Sequence, residues 1–164
     1  MSLFGLFKKK PKFEYEHLDL SNLKVDFHSH LLPGLDDGVT TFDEAINIIK
    51  EFKSLGFEKL IITPHIMNDF YKNDIHVIGE KCSELKSILE QKGISIDLDY
   101  SAEYYFDEHF MDLYEKNEIR TFGNKHFLFE LSYFNEPKNV REFVLRAKND
   151  GFTPVLAHPE RYPY

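Results

Sequence analysis

Apolar residues in this chain alternate between two spacings. Short runs rich in β-branched and aromatic residues fall at residues 23–27, 57–63, 94–100, 125–129 and 152–157. Runs of that length bounded by turn formers predict buried strands. Between them apolar positions recur every three or four residues. Ala45, Ile48, Ile49, Phe52 and Leu55 mark a helix that Thr41-Phe42-Asp43-Glu44 opens with capping-box spacing and Gly56 closes. Ile78, Cys82, Leu85, Ile88 and Leu89 mark a second over residues 76–92, closed by Gly93. A short helix follows over 108–116. Another runs through Val140, Phe143, Val144 and Ala147, with Pro137 near its start and Gly151 beyond its end. Five strands alternating with helical segments predict an α/β fold of parallel βα units.

Functional groups in such folds gather at the carboxyl ends of the strands. Each predicted strand here leads into a residue that can ligate a metal. His28 and His30 follow the first, His65 the second, Glu103 the third, Glu130 the fourth and His158 the fifth. Core histidines and capping carboxylates have no reason to recur at that one place in every unit. His28 and His30 are i and i+2 on an extended segment, so both imidazoles face one side. The turn at Leu32-Pro33-Gly34 returns Asp37 to them as an oxygen donor. A set of imidazoles and carboxylates without thiolate suits Mn, Fe or Zn rather than a structural zinc site. It is too large for one ion, and Glu103 or Glu130 can bridge two. Paired cations suit hydrolysis of phosphate esters. Arg161, just past His158, can take two phosphate oxygens. His17, His76, His109 and His126 lie away from strand ends and read as surface residues.

Composition narrows the class. A chain of 164 residues, 42% hydrophobic and 15% aromatic, is long enough for one domain with a real core. A net charge of -8 argues against a general nucleic-acid surface. The single cysteine, Cys82, excludes an intrachain disulfide and fits a reducing cytoplasm; its place on an apolar helix face makes it core. No apolar run approaches the roughly 20 residues that span a bilayer. In residues 1–10 the apolar Phe4, Leu6 and Phe7 precede three lysines, the reverse of a signal peptide. Residues 1–23 read as a basic, apolar leader and linker, able to touch an anionic membrane face, and residues 24–164 as the domain.

The motifs in order are the His28/His30 pair, Asp36-Asp37-Gly38, Thr63-Pro64-His65, Ala102-Glu103-Tyr104-Tyr105, Phe129-Glu130-Leu131-Ser132 and His158-Pro159-Glu160-Arg161-Tyr162. Together they resemble the PHP (polymerase and histidinol phosphatase) superfamily. More narrowly they resemble its CpsB/CapC branch, the manganese-dependent protein tyrosine phosphatases of bacterial capsule and exopolysaccharide loci. The resemblance implies a distorted TIM-like β/α barrel of seven strands holding up to three Mn2+ ions. Carried over by motif, it implies His28, His30 and Glu103 at a first metal, Glu130 and His158 at a second, and Asp37 and His65 at a third. It implies Arg161 on the substrate phosphate, and attack on phosphotyrosine by a metal-bound hydroxide without a phosphocysteine. Tyr104, Tyr105, Tyr133 and Phe134, just past ligand-bearing ends, either wall the phosphotyrosine cleft or simply pack.

Family members continue for two further βα units and a last Asp-x-His motif. The resemblance therefore implies that about five of seven units are present, with open strand edges that invite oligomerisation or domain swapping. Incomplete metal loading and weak turnover are the expectation. Two other readings remain at this point: a histidinol-phosphatase-type enzyme, and an inactive metal- or partner-binding fragment held near a capsule tyrosine kinase at the inner membrane face.

Overall fold

Pro64 decides how the sheet is divided. The computed structural model describes residue 20 and residues 22–164, so the leader reading for residues 1–23 lies almost wholly outside the described residues. All five predicted strands are present, and two further short ones follow the second and third, giving β1 (Val25–Asp26), β2 (Lys59–Ile62), β3 (His65–Ile66), β4 (Asp97–Tyr100), β5 (Glu103–Tyr105), β6 (His126–Glu130) and β7 (Thr153–Leu156). All pair in parallel, as a three-stranded sheet β1-β2-β4 and a four-stranded sheet β3-β5-β6-β7.

The second and third strand lines thus run past their predicted ends, at residues 63 and 100, each after a short break. One offset carries both Lys59 onto Asp97 and His65 onto Glu103, so β3 continues the line of β2 and β5 that of β4. Proline has no N–H to give a ladder. The pairing crosses the gap on the bonds that remain, Ser101 N–H to the Ile62 carbonyl (2.9 Å) and Glu103 N–H to the Pro64 carbonyl (3.0 Å). The result is five parallel lines side by side in chain order, the strand order of the expected β/α barrel. A consequence the sequence hid is that His65 and Glu103 begin strands of their own rather than trailing off strand ends.

Four helices follow the periodicity closely: α1 (Phe42–Ser54), α2 (Ile75–Gln91), α3 (Glu108–Glu115) and α4 (Val140–Asn149). The capping box is formed, with Thr41 Oγ1 accepting from Glu44 N–H and the Glu44 carboxylate accepting from Thr41 N–H. The helices cover one face of the strands. There Leu60, Ile62, Leu98, Phe127 and Phe129 bury against Ile49, Ile78, Leu85, Phe110 and Phe143. Cys82 is buried in this layer, as expected. The opposite face holds a smaller cluster of Ile61, Phe122, Leu128 and Ala157, and Phe27 stacks on Phe122 at 5.9 Å. No described helix is long and apolar enough to cross a membrane.

Candidate metal centre

Glu103 sits at the centre of the constellation. It opens β5 in the middle of the four-stranded sheet and is only 1% exposed. Its Oε2 lies 3.1 Å from His28 Nε2, 3.1 Å from His30 Nε2 and 3.5 Å from His65 Nδ1. Its Oε1 lies 2.8 Å from His158 Nε2. Glu130, the last residue of β6 and 3% exposed, reaches His65 Nδ1 at 2.9 Å and His158 Nε2 at 3.7 Å. Five strand lines therefore deliver His28, His30, His65, Glu103, Glu130 and His158 to one point. Asp37 stands at its edge, with its side chain 67% exposed and Oδ1 3.5 Å from His65 Nε2.

The donor set fits divalent cations. Two ligands each about 2.1 Å from one ion lie about 3–3.5 Å apart, and most of these nitrogen–oxygen spacings are of that size. Three groups bring their ligand atoms within 4.8 Å of one another: His28, His30 and Glu103; His30, Asp37 and His65; His65, Glu103 and Glu130. His65 Nδ1 is buried and has no hydrogen-bond partner despite the nearby Glu130 oxygen. A buried nitrogen left so is costly unless something else engages it. Two buried carboxylates facing four imidazoles provide both the charge and the lone pairs a cation needs.

The surrounding groups hold the ligands in position, and the motif reading missed most of them. Asp36, not Asp37, does the orienting. Its Oδ2 accepts from His30 Nδ1–H at 2.7 Å and from His65 N–H at 2.9 Å, and Gly38 N–H donates to Oδ1 at 3.0 Å. That fixes the His30 tautomer and leaves Nε2 for the site. Burial works against a charged His30, but Asp36 and Glu103 outweigh it and raise its pKa to about 10. Burial pushes Glu103 up, yet hydrogen bonds from His28 and His30 hold it well below the usual carboxylate range. Gly38 is required because a Cβ there would lie 2.3 Å from the His30 carbonyl oxygen. Asn73 donates to the carbonyls of Leu35 (2.8 Å) and His65 (2.7 Å), tying the Asp36 loop to β3. The adjacent acids of the Asp36-Asp37-Gly38 turn were the available signal for Asp36, since a metal-ligating histidine commonly gives its other ring N–H to a carboxylate.

The centre floors a cavity of about 600 Å³. Its walls include Met67, Phe70, Tyr71, Tyr105, Tyr133, Phe134 and Arg161. Arg161 therefore reaches the same space as the ligands, from the 3-10 turn Pro159–Arg161. Tyr104 does not belong to the wall. It is fully buried in β5, with its hydroxyl accepting from Arg120 N–H at 2.8 Å. His76, His109 and His126 do not line the cavity.

The chain is similar to several known proteins. Over 138 residues the chain is 30% identical to CapC of Staphylococcus aureus and 28% identical to the tyrosine-protein phosphatase YwqE of Bacillus subtilis, covering 84% of this chain and 54% of each relative. The tyrosine-protein phosphatase CpsB of Streptococcus agalactiae is 27% identical over 139 residues, with 84% of this chain and 57% of the relative covered. Crystal structures of YwqE from Bacillus subtilis and CpsB from Streptococcus pneumoniae, described as unique metal-dependent tyrosine phosphatases, include a chain that superposes with a TM-score of 0.77 at 26% identity over 84% of this chain and 56% of that one. This chain spans about half the length of the relatives it matches. The model for capsular polysaccharide synthesis proteins of the CpsB/CapC type matches residues 24–164, and the chain belongs to that family.

Proposed function

We propose that this chain carries the metal centre of a phosphatase that removes phosphate from tyrosine side chains of proteins, with manganese as the metal, in the control of capsule or exopolysaccharide synthesis. The observation that supports it most is the convergence of four histidines and two buried carboxylates around Glu103. Divalent cations held there would supply positive charge to the phosphoryl oxygens and acidify a water. His28, His30 and Glu103 would hold one ion, Glu130 and His158 a second, and Asp37 and His65 a third. The protein's own residues do the rest. Glu103 and Glu130 offset the charge of the ions. Asp36 keeps His30 turned toward them. Arg161, on the cavity wall, binds phosphate oxygens and favours a dianionic ester. The partner is a protein bearing phosphotyrosine, of which a capsule tyrosine kinase is one candidate.

The test is manganese content and phosphate release on one purified sample. Partial manganese loading with weak release from a phosphotyrosine peptide, lost on chelation, is the expected result. A manganese-loaded chain that releases phosphate from histidinol phosphate and not from the peptide would replace the substrate class. Failure to retain any divalent metal would overturn the proposal.

A further inference from the structure

Two of the most exposed large apolar side chains among the described residues are Phe70, 78% exposed, and Phe134, 88% exposed. Both line the cavity above the metal centre. They come from different loops on either side of Glu103. Phe70 follows β3, one neighbour of β5, and Phe134 follows β6, the other. Next to each, a tyrosine turns inward onto a ligand histidine. Tyr71 stacks on His65 with ring centres 5.3 Å apart and planes 11° from parallel, and Tyr133 lies 5.7 Å from His158.

Neither loop is loose. Met67 and Tyr71 exchange backbone hydrogen bonds of 2.9 and 3.1 Å, so Phe70 stands at the tip of a closed turn. Asn68 N–H donates to Asp107 at 3.1 Å. On the other side Phe134 N–H donates to Ser132 Oγ at 3.2 Å, and the Tyr164 hydroxyl donates to the Ser132 carbonyl at 2.6 Å. Anchored turns that hold phenylalanines out in water lose the benefit of burying them. Aromatic rings so presented, above a floor of groups that could hold a cation, fit a ligand that is flat and apolar at one end and anionic at the other.

We infer that Phe70 and Phe134 are specificity-determining residues that grip the ring of an aryl phosphoester from both sides, selecting aryl over alkyl phosphates. This rests on the phosphatase reading of the same site. Ring contacts of this kind predict about a three- to tenfold effect per phenylalanine.

The test uses the manganese-loaded chain and two non-hydrolysable probes, phenylphosphonate and methylphosphonate, with calorimetric binding. Phe70→Ala and Phe134→Ala should each weaken phenylphosphonate about three- to tenfold, leaving methylphosphonate affinity and manganese content unchanged. Equal loss for both probes, or no loss for either, overturns the grip while the phosphatase reading stands. A loaded wild-type chain that binds neither probe overturns both. Phe70→Leu and Phe134→Leu keep the bulk without the ring. Full retention of the phenyl preference in these variants would also overturn the ring-specific contact.

Discussion

The two ends of the same parallel strands are both rich in charge, and they treat it in opposite ways. At the amino ends Lys24 pairs with Glu58 at 2.8 Å and Lys59 with Asp97 at 3.0 Å. Each acid there has a basic partner, and water reaches most of these groups. At the carboxyl ends Glu103 and Glu130 are buried, and imidazoles take the place of lysine and arginine around them. Exposed pairs contribute little, about 0–1 kcal/mol each. Buried acids facing neutralisable bases are expensive for the fold and form a place for a cation. One end is arranged for solubility and the other for binding.

The sharpest break of that contrast is Glu103→Gln. It replaces the carboxylate shared by four histidines with a neutral amide that has one acceptor oxygen, and manganese affinity should fall more than about 100-fold. In the unaltered chain, manganese at about 100 times its Kd should add about 2.7 kcal/mol, roughly 5–10 °C in Tm. The variant should show no such rise in a thermal scan while keeping the far-UV spectrum. A retained rise would remove Glu103 from the centre.

Asp36→Asn leaves every proposed ligand in place and weakens the contact that orients His30. Manganese titration should show a loss of about 10- to 100-fold. Unchanged affinity would mean that Asp36 serves the loop alone.

A pH series sharpens the comparison further. His30 must give up a proton to act as a ligand, and without metal its pKa is raised from 6.5 to about 10. Metal binding near neutral pH should therefore release protons, and affinity should rise with pH from 6.5 toward 10. The sign is the same for stability. The charged His30 stabilises the metal-free fold below about pH 6.5. That contribution falls away as pH rises through about 10. Calorimetry in buffers of different ionisation enthalpy measures the protons released, and zero release would contradict it.

The smallest effect is expected at the opposite end. Lys59→Met should change stability by no more than about 0.5 kcal/mol in urea unfolding, and manganese affinity not at all. A change in affinity would mean that the two ends are coupled.

Much of this was legible from spacing. The helices came from apolar periodicity, since each buries one stripe, and the strands came from short apolar runs. His28, His30, His65, Glu103, Glu130 and His158 were legible because each lies at or just past the end of a predicted apolar run, and parallel βα units gather those ends together. The strand breaks were less so. Pro64 forbids a ladder donor, but only the paired chain shows that the register continues past it. Tyr104 and Tyr105 are neighbours of equal promise in sequence. Strand alternation sends Tyr104 into the helix-facing core and Tyr105 to the cavity.

The sequence by itself determined the order of the elements, the end at which chemistry collects and the kinds of donor found there. All three follow from local periodicity and residue type. Tertiary structure alone decided that Glu103 lies at the centre, that Asp36 orients His30 where Asp37 only borders the site, and that Phe70 and Phe134 face one cavity. Those outcomes depend on distances between residues far apart in the chain, set by sheet order and register, which no local pattern encodes.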